Sequence, residues 1–211
     1  LMQGKHPLGW CPNENSAVGE HDTRHDVQPE IEEQTAIKFK VDGEDASMIC
    51  TTYRPETIFA VTNLFIKEDT AYALCKIGDE NYYLAKSAAE ILNYQFPVAI
   101  VSEVDAADML KKKCINPVTG EKLPVFPGFF VKADIGTGIV MSVPSHAPFD
   151  FAALERLRAN GYDLSGIKPK KIIDVQIGRS LSDVSTGDAA PVHIDIPALA
   201  YLEILHTNVN A

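Results

Sequence analysis

Ala36-Ile37-Lys38-Phe39-Lys40-Val41-Asp42-Gly43, followed by Met48-Ile49-Cys50-Thr51-Thr52-Tyr53, is the stretch whose reading decides the architecture. Ile37, Phe39 and Val41 alternate with Lys38 and Lys40, the period of a strand with one buried face, and Asp42-Gly43 turns the chain toward a second strand. Further strand patterns follow at 61–66, 71–77, 82–85, 98–104, 123–126, 129–132 and 139–143. Gly78-Asp79-Glu80-Asn81 reads as a hairpin turn, and Asn116-Pro117-Val118-Thr119-Gly120 and Pro127-Gly128 punctuate the later runs. Helical signals are few. Ser87 with Glu90 three residues on forms a capping-box pattern before a helix of about two turns. Phe151, Leu154 and Leu157, with Ala152 and Ala153, predict a helix over 149–159 that Asn160-Gly161 stops. Such a strand-rich α/β sequence favours a β-barrel or mixed core over a doubly wound sheet.

Outward from this core, residues 1–35 read as an irregular lead-in packed on it, and 36–211 as the main domain with a C-terminal extension. In that extension 172–177 reads as a strand, 180–190 as a polar loop and 197–206 as a short helix. The 211 residues, 45% hydrophobic and 23% charged, exclude a disulfide miniprotein and a disordered chain. A formal charge of −10 argues against broad phosphate neutralisation, so any nucleic-acid contact must be local. No window reaches the roughly 18 apolar residues of a membrane span, and the first seven residues lack a signal-peptide core, which together suggest a cytoplasmic protein. A chain opening on Leu1 also reads as a piece of a longer polypeptide. Cys11, Cys50, Cys75 and Cys114 form no C-x-x-C pair and read as unpaired reduced thiols.

Two segments carry candidate chemistry. In Thr51-Thr52-Tyr53-Arg54-Pro55-Glu56-Thr57, Pro55 opens a helix and Glu56 suits its first turn. The surplus hydroxyls of Thr51, Thr52 and Thr57 suit gripping a carbonyl, a ribose hydroxyl or a water. In the second segment, 136–150, Gly136 and Gly138 open an apolar strand that runs through Pro144 into a helix whose first turn holds Asp150. It lacks the helix and lysine of a phosphate-binding loop. Ser145-His146 is a poor nucleophile and base, because adjacent side chains seldom face each other and no G-x-S-x-G elbow is present. Lys111-Lys112-Lys113 reads as a solvated face or a phosphate contact, as does the lysine group at 168–171. Cys114 beside it reads as an exposed or half-buried thiol. His21 and His25 are a candidate metal pair, against the simpler reading of a solvated charged loop.

Thr-Tyr-Arg-Pro-Glu-Thr at 52–57, Val-Thr-Asn-Leu-Phe-Ile at 61–66 and Gly-Thr-Gly-Ile-Val-Met-Ser-Val-Pro-Ser-His-Ala-Pro-Phe-Asp at 136–150 together resemble the editing insertion of class I aminoacyl-tRNA synthetases. Within that group the resemblance is to the leucyl-tRNA synthetases of the archaeal and eukaryotic cytosolic type. It implies a distorted β-barrel with peripheral helices, and hydrolysis of the ester that joins a wrong amino acid to the terminal adenosine of tRNA(Leu). A leucine-sized pocket gains only about 1–3 kcal/mol from one methylene, so isoleucine, methionine, valine or norvaline require a second, hydrolytic sieve. Valyl- or isoleucyl-type editing, or a non-catalytic tRNA-positioning insertion, are the alternatives.

Carried over residue by residue, the resemblance implies that Asp150 holds the substrate ammonium and that Thr57 excludes leucine. Thr52 is the implied contact to substrate or hydrolytic water. Met141, Val143 and His146 would line the pocket, and Thr51, Tyr53 and Arg54 would bind substrate with them. No metal or cofactor is implied for this reaction; ATP and Mg belong to the parent ligase. The implied partners are the 3′ end of tRNA(Leu) and the remainder of the synthetase chain. Tyr53 and Ala147 stand where bacterial leucine enzymes commonly have Thr and Asp, which leaves Asp150 without a second acid in its segment.

Overall fold

The computed structural model describes residues 9–11, 13–19, 22 and 34–172, and its contacts group the chain into units 1–34 and 35–211. The His21–His25 pair, the loop 180–190, the helix 197–206 and all but the first residue of the strand 172–177 lie outside the described residues. In the first unit, β1 (Gly9–Cys11) pairs antiparallel with β2 (Ser16–Val18), so the segment read as irregular holds a short hairpin. Asn15 turns it with φ +49°, a left-handed conformation that asparagine tolerates.

The second unit contains β3 (Thr35–Val41), β4 (Ser47–Thr52), β5 (Asn63–Ile66), β6 (Ala71–Ile77), β7 (Glu80–Ala85), β8 (Ala99–Asp105), β9 (Lys113–Ile115), β10 (Lys122–Pro127) and β11 (Ile139–Ser142). They form one mixed sheet in the order β11-β5-β10-β9-β3-β4-β7-β6-β8. The period of two in β3 is kept: Ile37, Phe39 and Val41 are buried while Lys38 and Lys40 face solvent. Counting directions through the ladders, only β5 and β10 are parallel between β11 and β4, so these two strands run the same way. They also pack against each other without a ladder, which curls the sheet into a distorted barrel left open on that side. The Thr137 hydroxyl donates to the Ile49 carbonyl across this seam, and the Ala85 amide donates to the Thr137 carbonyl at 2.9 Å.

β5 is buried throughout because both of its faces are covered. Leu64 and Ile66 join the barrel interior with Phe39, Met48 and Tyr72. Phe65 points to the other side, where it packs with Ala153, Leu154 and Leu157 of α3 (Pro148–Ala159). Each such large side chain contributes roughly 1.5–3 kcal/mol on burial. α1 (Lys86–Leu92) covers β6 and β7 through Ala89, beside Leu84 and Cys75.

Several expectations are corrected. α1 starts after Ala85, and Ser87 sits inside it with its hydroxyl donating to the Ala133 carbonyl at 2.9 Å; the capping box does not form. Residues 129–132 are not a strand, because the Val131 amide bonds back to the Gly128 carbonyl and closes a turn. Gly128 allows that turn to lie on the barrel, since a Cβ there would approach Phe65 Cβ to 3.0 Å. α2 (Ala106–Met109) and β9 are too short to show a period. Cys114 is fully buried, and burial pushes its thiol up to about 12; it is neither exposed nor half-buried. All four cysteines are free thiols.

Tyr72 fastens the start of the seam. Its buried hydroxyl accepts from the Lys67 amide and donates to the Gly138 carbonyl, both at 2.9 Å. Gly138 has φ +71°, and a Cβ on it would come within 2.4 Å of Ala85 Cβ. Gly138→Ala is therefore expected to destabilise the domain by more than about 1 kcal/mol, read as a lower denaturant midpoint with the same m-value. An unchanged midpoint would contradict this account of the seam.

Candidate functional site

β4 and β11 run in the same direction, so the segments that leave their C-terminal ends emerge at the same end of the barrel. From β4 the chain passes through Arg54 into a 3-10 helix, Pro55–Ala60, with Pro55 at its start as the sequence predicts. From β11 it passes through residues 143–147 into α3. The Thr62 amide donates to the Ser142 carbonyl at 3.0 Å, tying the exit of the 3-10 helix to the end of β11. Ile58, Ala60, Met141 and Val143 share one apolar cluster with Ala147 packed against it. Two motifs some 80 residues apart in sequence thus meet.

On the first segment, the Arg54 amide donates to Thr52 Oγ1 at 3.0 Å, a local turn that competes with continuing the strand. The Thr57 hydroxyl donates to the Arg54 carbonyl at 2.7 Å, and the residue is only 3% exposed. Its hydroxyl is spent on the backbone, so the side chain is fixed. Thr51 and Thr52 are half-buried, Tyr53 is 61% exposed, and the exposed Arg54 pairs with Glu56 at 3.0 Å. Asn116 supports this segment from behind, donating its side-chain amide to the Ile58 carbonyl at 2.9 Å while its oxygen accepts from the Val118 and Thr119 amides. Sequence reading assigned Asn116 only to a turn; its role depends on a partner 58 residues away, which no local pattern encodes.

On the second segment, the Val143 carbonyl accepts from the His146 and Ala147 amides, folding 143–147 into a tight turn. Asp150 lies in the first turn of α3 but is 4% exposed. Its Oδ2 accepts from the Val143 amide at 2.7 Å, so the carboxyl braces the turn that precedes its own helix. Burial pushes Asp150 up to about 7, against the pull of that one backbone bond. Met141 and Val143 are buried, and half-buried His146 accepts at Nε2 from the Ile172 amide at 3.2 Å. Ser142 Oγ is fully buried and has no hydrogen-bond partner among the described residues. In the sequence Ser142 has a place in the 136–150 motif but no role, because nothing local tells what a serine inside an apolar strand will meet.

A sequence profile described as "Leucyl-tRNA synthetase, editing domain" matches residues 32–171. The chain belongs to the leucyl-tRNA synthetase editing-domain family. This editing domain is 43% identical over 159 residues to a leucine–tRNA ligase of Pyrobaculum aerophilum, covering 75% of this chain and 17% of the relative. It is 38% identical over 199 residues to that of Pyrobaculum neutrophilum (90% and 21%) and 38% identical over 188 to that of Archaeoglobus fulgidus (84% and 20%). The chain therefore spans about one fifth of the length of these relatives. The crystal structure of GlLeuRS-CP1 superposes with a TM-score of 0.55 at 28% identity, covering 61% of each chain. The editing domain of the P. knowlesi cytosolic leucyl-tRNA synthetase shares the fold at TM-score 0.55 and 17% identity, over 66% of each chain.

Several other sequence candidates are engaged elsewhere in the editing domain. Lys112 is half-buried, bonded to Glu44 at 2.6 Å and stacked 4.6 Å above the Tyr83 ring, so it is not part of a solvated face. Lys111 pairs with Asp108, and Lys170 with Glu121. Among the described residues no three histidine, cysteine or acidic side chains gather as a metal site, and no helix is long and apolar enough to cross a membrane.

The raised Asp150 value makes stability depend on pH. Its folded pKa lies above the unfolded one near 3.9, so the folded domain binds the extra proton between those values. That contribution is full below about pH 4 and is lost as pH rises through 7. Asp150→Asn, which keeps an oxygen for the Val143 amide, is expected to flatten the pH 4–7 limb of the unfolding free energy by roughly a few kcal/mol. An identical limb in both proteins, measured by urea denaturation, would assign it to another group.

Proposed function

We propose that the domain hydrolyses the ester of mischarged tRNA(Leu), removing isoleucine, methionine, valine or norvaline from the terminal adenosine. The observation that carries this reading is the buried Asp150 carboxyl, held at the barrel end where the segments of Thr57 and Val143 meet. A carboxyl taken out of water with one backbone donor is short of compensating charge. An arriving α-ammonium supplies that charge, favours the carboxylate and is oriented by it. Thr57 cannot rotate to make room without giving up its bond to the Arg54 carbonyl, which suits a residue that crowds the branched end of leucine. Met141 and Val143 offer an apolar wall, with His146 beside them. Thr51, Thr52, Tyr53 and Arg54 form the polar rim on which Thr52 meets substrate or water. Hydrolysis on this reading uses a positioned water and fixed donors, with no cofactor or metal; ATP and Mg serve the parent ligase.

The partners on this reading are the 3′ end of tRNA(Leu) and the rest of the synthetase chain, in the cytoplasm. Asp150→Asn is expected to abolish deacylation of isoleucyl-tRNA(Leu) while the protein stays folded; full turnover by that variant would sink the reading. Thr57→Ala should raise hydrolysis of leucyl-tRNA(Leu) on the order of ten- to a hundredfold, the worth of one methylene-sized clash. Continued rejection of leucine would remove Thr57 from the sieve. kcat/KM for the wild type should climb with pH through about 7 as free Asp150 ionises.

A further inference from the structure

Beside α3 lies a cleft of about 560 Å³ that belongs to neither motif, lined among others by Lys67, Phe129, Arg156 and Tyr162. Phe129 is 53% exposed, and the Arg156 guanidinium lies 5.1 Å from its ring centre. Among the described residues no carboxylate pairs with Arg156. Tyr162 meets Phe126 edge-on at 6.4 Å, leaving part of its ring exposed. The cleft is joined to the candidate site by aromatic contacts: Phe129 touches Phe130 at 5.7 Å, and Phe130 touches Phe149 at 6.4 Å. Phe149 adjoins Asp150 in sequence and is 66% exposed. Residues 149, 153, 156 and 160 share one face of α3 by their spacing, so the track runs about 16 Å from the start of the helix.

The charges narrow the ligand. Lys67 and Arg156 are balanced by Glu68 and Asp69, and Lys67 lies 3.7 Å from Asp69. On a chain of net charge −10 such a cleft cannot hold a polyanion by neutralising it. Exposed rings with a guanidinium against one of them offer another grip, because unpaired bases stack on aromatic faces whatever their sequence. Bases inside a duplex are covered on both faces by their neighbours, which leaves only the two end pairs a face to offer.

Resting on the function proposed above, we propose that this track binds the unpaired nucleotides preceding the terminal adenosine, stacking a base on Phe129 with Arg156 covering the adjoining phosphate. The test uses the 211-residue chain and a 5′-fluorescein single-stranded RNA octamer ending in CCA-3′, read by anisotropy, with a blunt RNA duplex as comparison. Phe129→Ala should weaken octamer binding on the order of tenfold, Phe129→Trp should restore it, and Arg156→Ala should lower both affinity and its salt dependence. The duplex should bind no better than the octamer binds Phe129→Ala. Phe129 is largely exposed, so the variants should keep the wild-type melting temperature. Hydrolysis of isoleucyl-adenosine, which lacks preceding nucleotides, should be unchanged in Phe129→Ala, whereas KM for isoleucyl-tRNA(Leu) should rise. Equal octamer affinity in wild type and Phe129→Ala, duplex binding as tight as single-strand binding, or no RNA binding at all would overturn the proposal, the last leaving the cleft to a protein neighbour. Failure to cleave isoleucyl-adenosine with octamer binding intact would count against the hydrolytic reading alone.

Discussion

The docking of β11 along β5, in the same direction as β4, is the constraint on which the rest of the domain depends. It curls the sheet, closes the apolar interior around Leu64, Met141 and Val143, and delivers two loop segments to one end. Polar links hold it where no ladder can: Thr137 to β4, and Tyr72 from β6 to Gly138. Tyr72 is buried deeply enough that its hydroxyl is pushed up to about 12, so it remains a neutral donor at any physiological pH. A neutral, fully satisfied hydroxyl at the seam avoids the cost of burying charge there.

Asp150 is the opposite case. Its carboxyl is buried with charge still to be compensated, and it is fixed by a bond to the turn before its helix rather than by a helix cap. A side chain that braces a turn from a buried position is a poor subject for alanine replacement, because removing it leaves the Val143 amide without its acceptor. Asparagine keeps that acceptor and removes the titrating proton.

How much was legible in sequence follows from how local each cause is. The alternation in β3, the proline start of the 3-10 helix and the apolar spacing of α3 are written within a few residues, and the structure keeps them. Ser87 misled because its hydroxyl prefers the Ala133 carbonyl, 46 residues away, to a cap. Phe129 and Phe130 misled because their apolarity anchors a turn and lines a cleft instead of pairing a strand. The resemblance placed Asp150 and Thr57 in one site; the burial of Asp150 and the bond that fixes Thr57 are consequences of packing that only coordinates reveal.

The pairing of Ser142 with Asn63 joins residues 79 positions apart, and the sheet between them includes a parallel pair that no hairpin can nucleate. Contacts of that reach form late, since the loop entropy must be met before they return any energy. As the chain leaves the ribosome, β5 waits through all of β6 to β10 for its outer neighbour. A nascent chain that has not yet delivered β11 carries the threonine segment with nothing for it to pack against at the barrel end. The meeting of the two loop segments therefore comes into being all at once, when β11 docks, and no partial version of that barrel end precedes it.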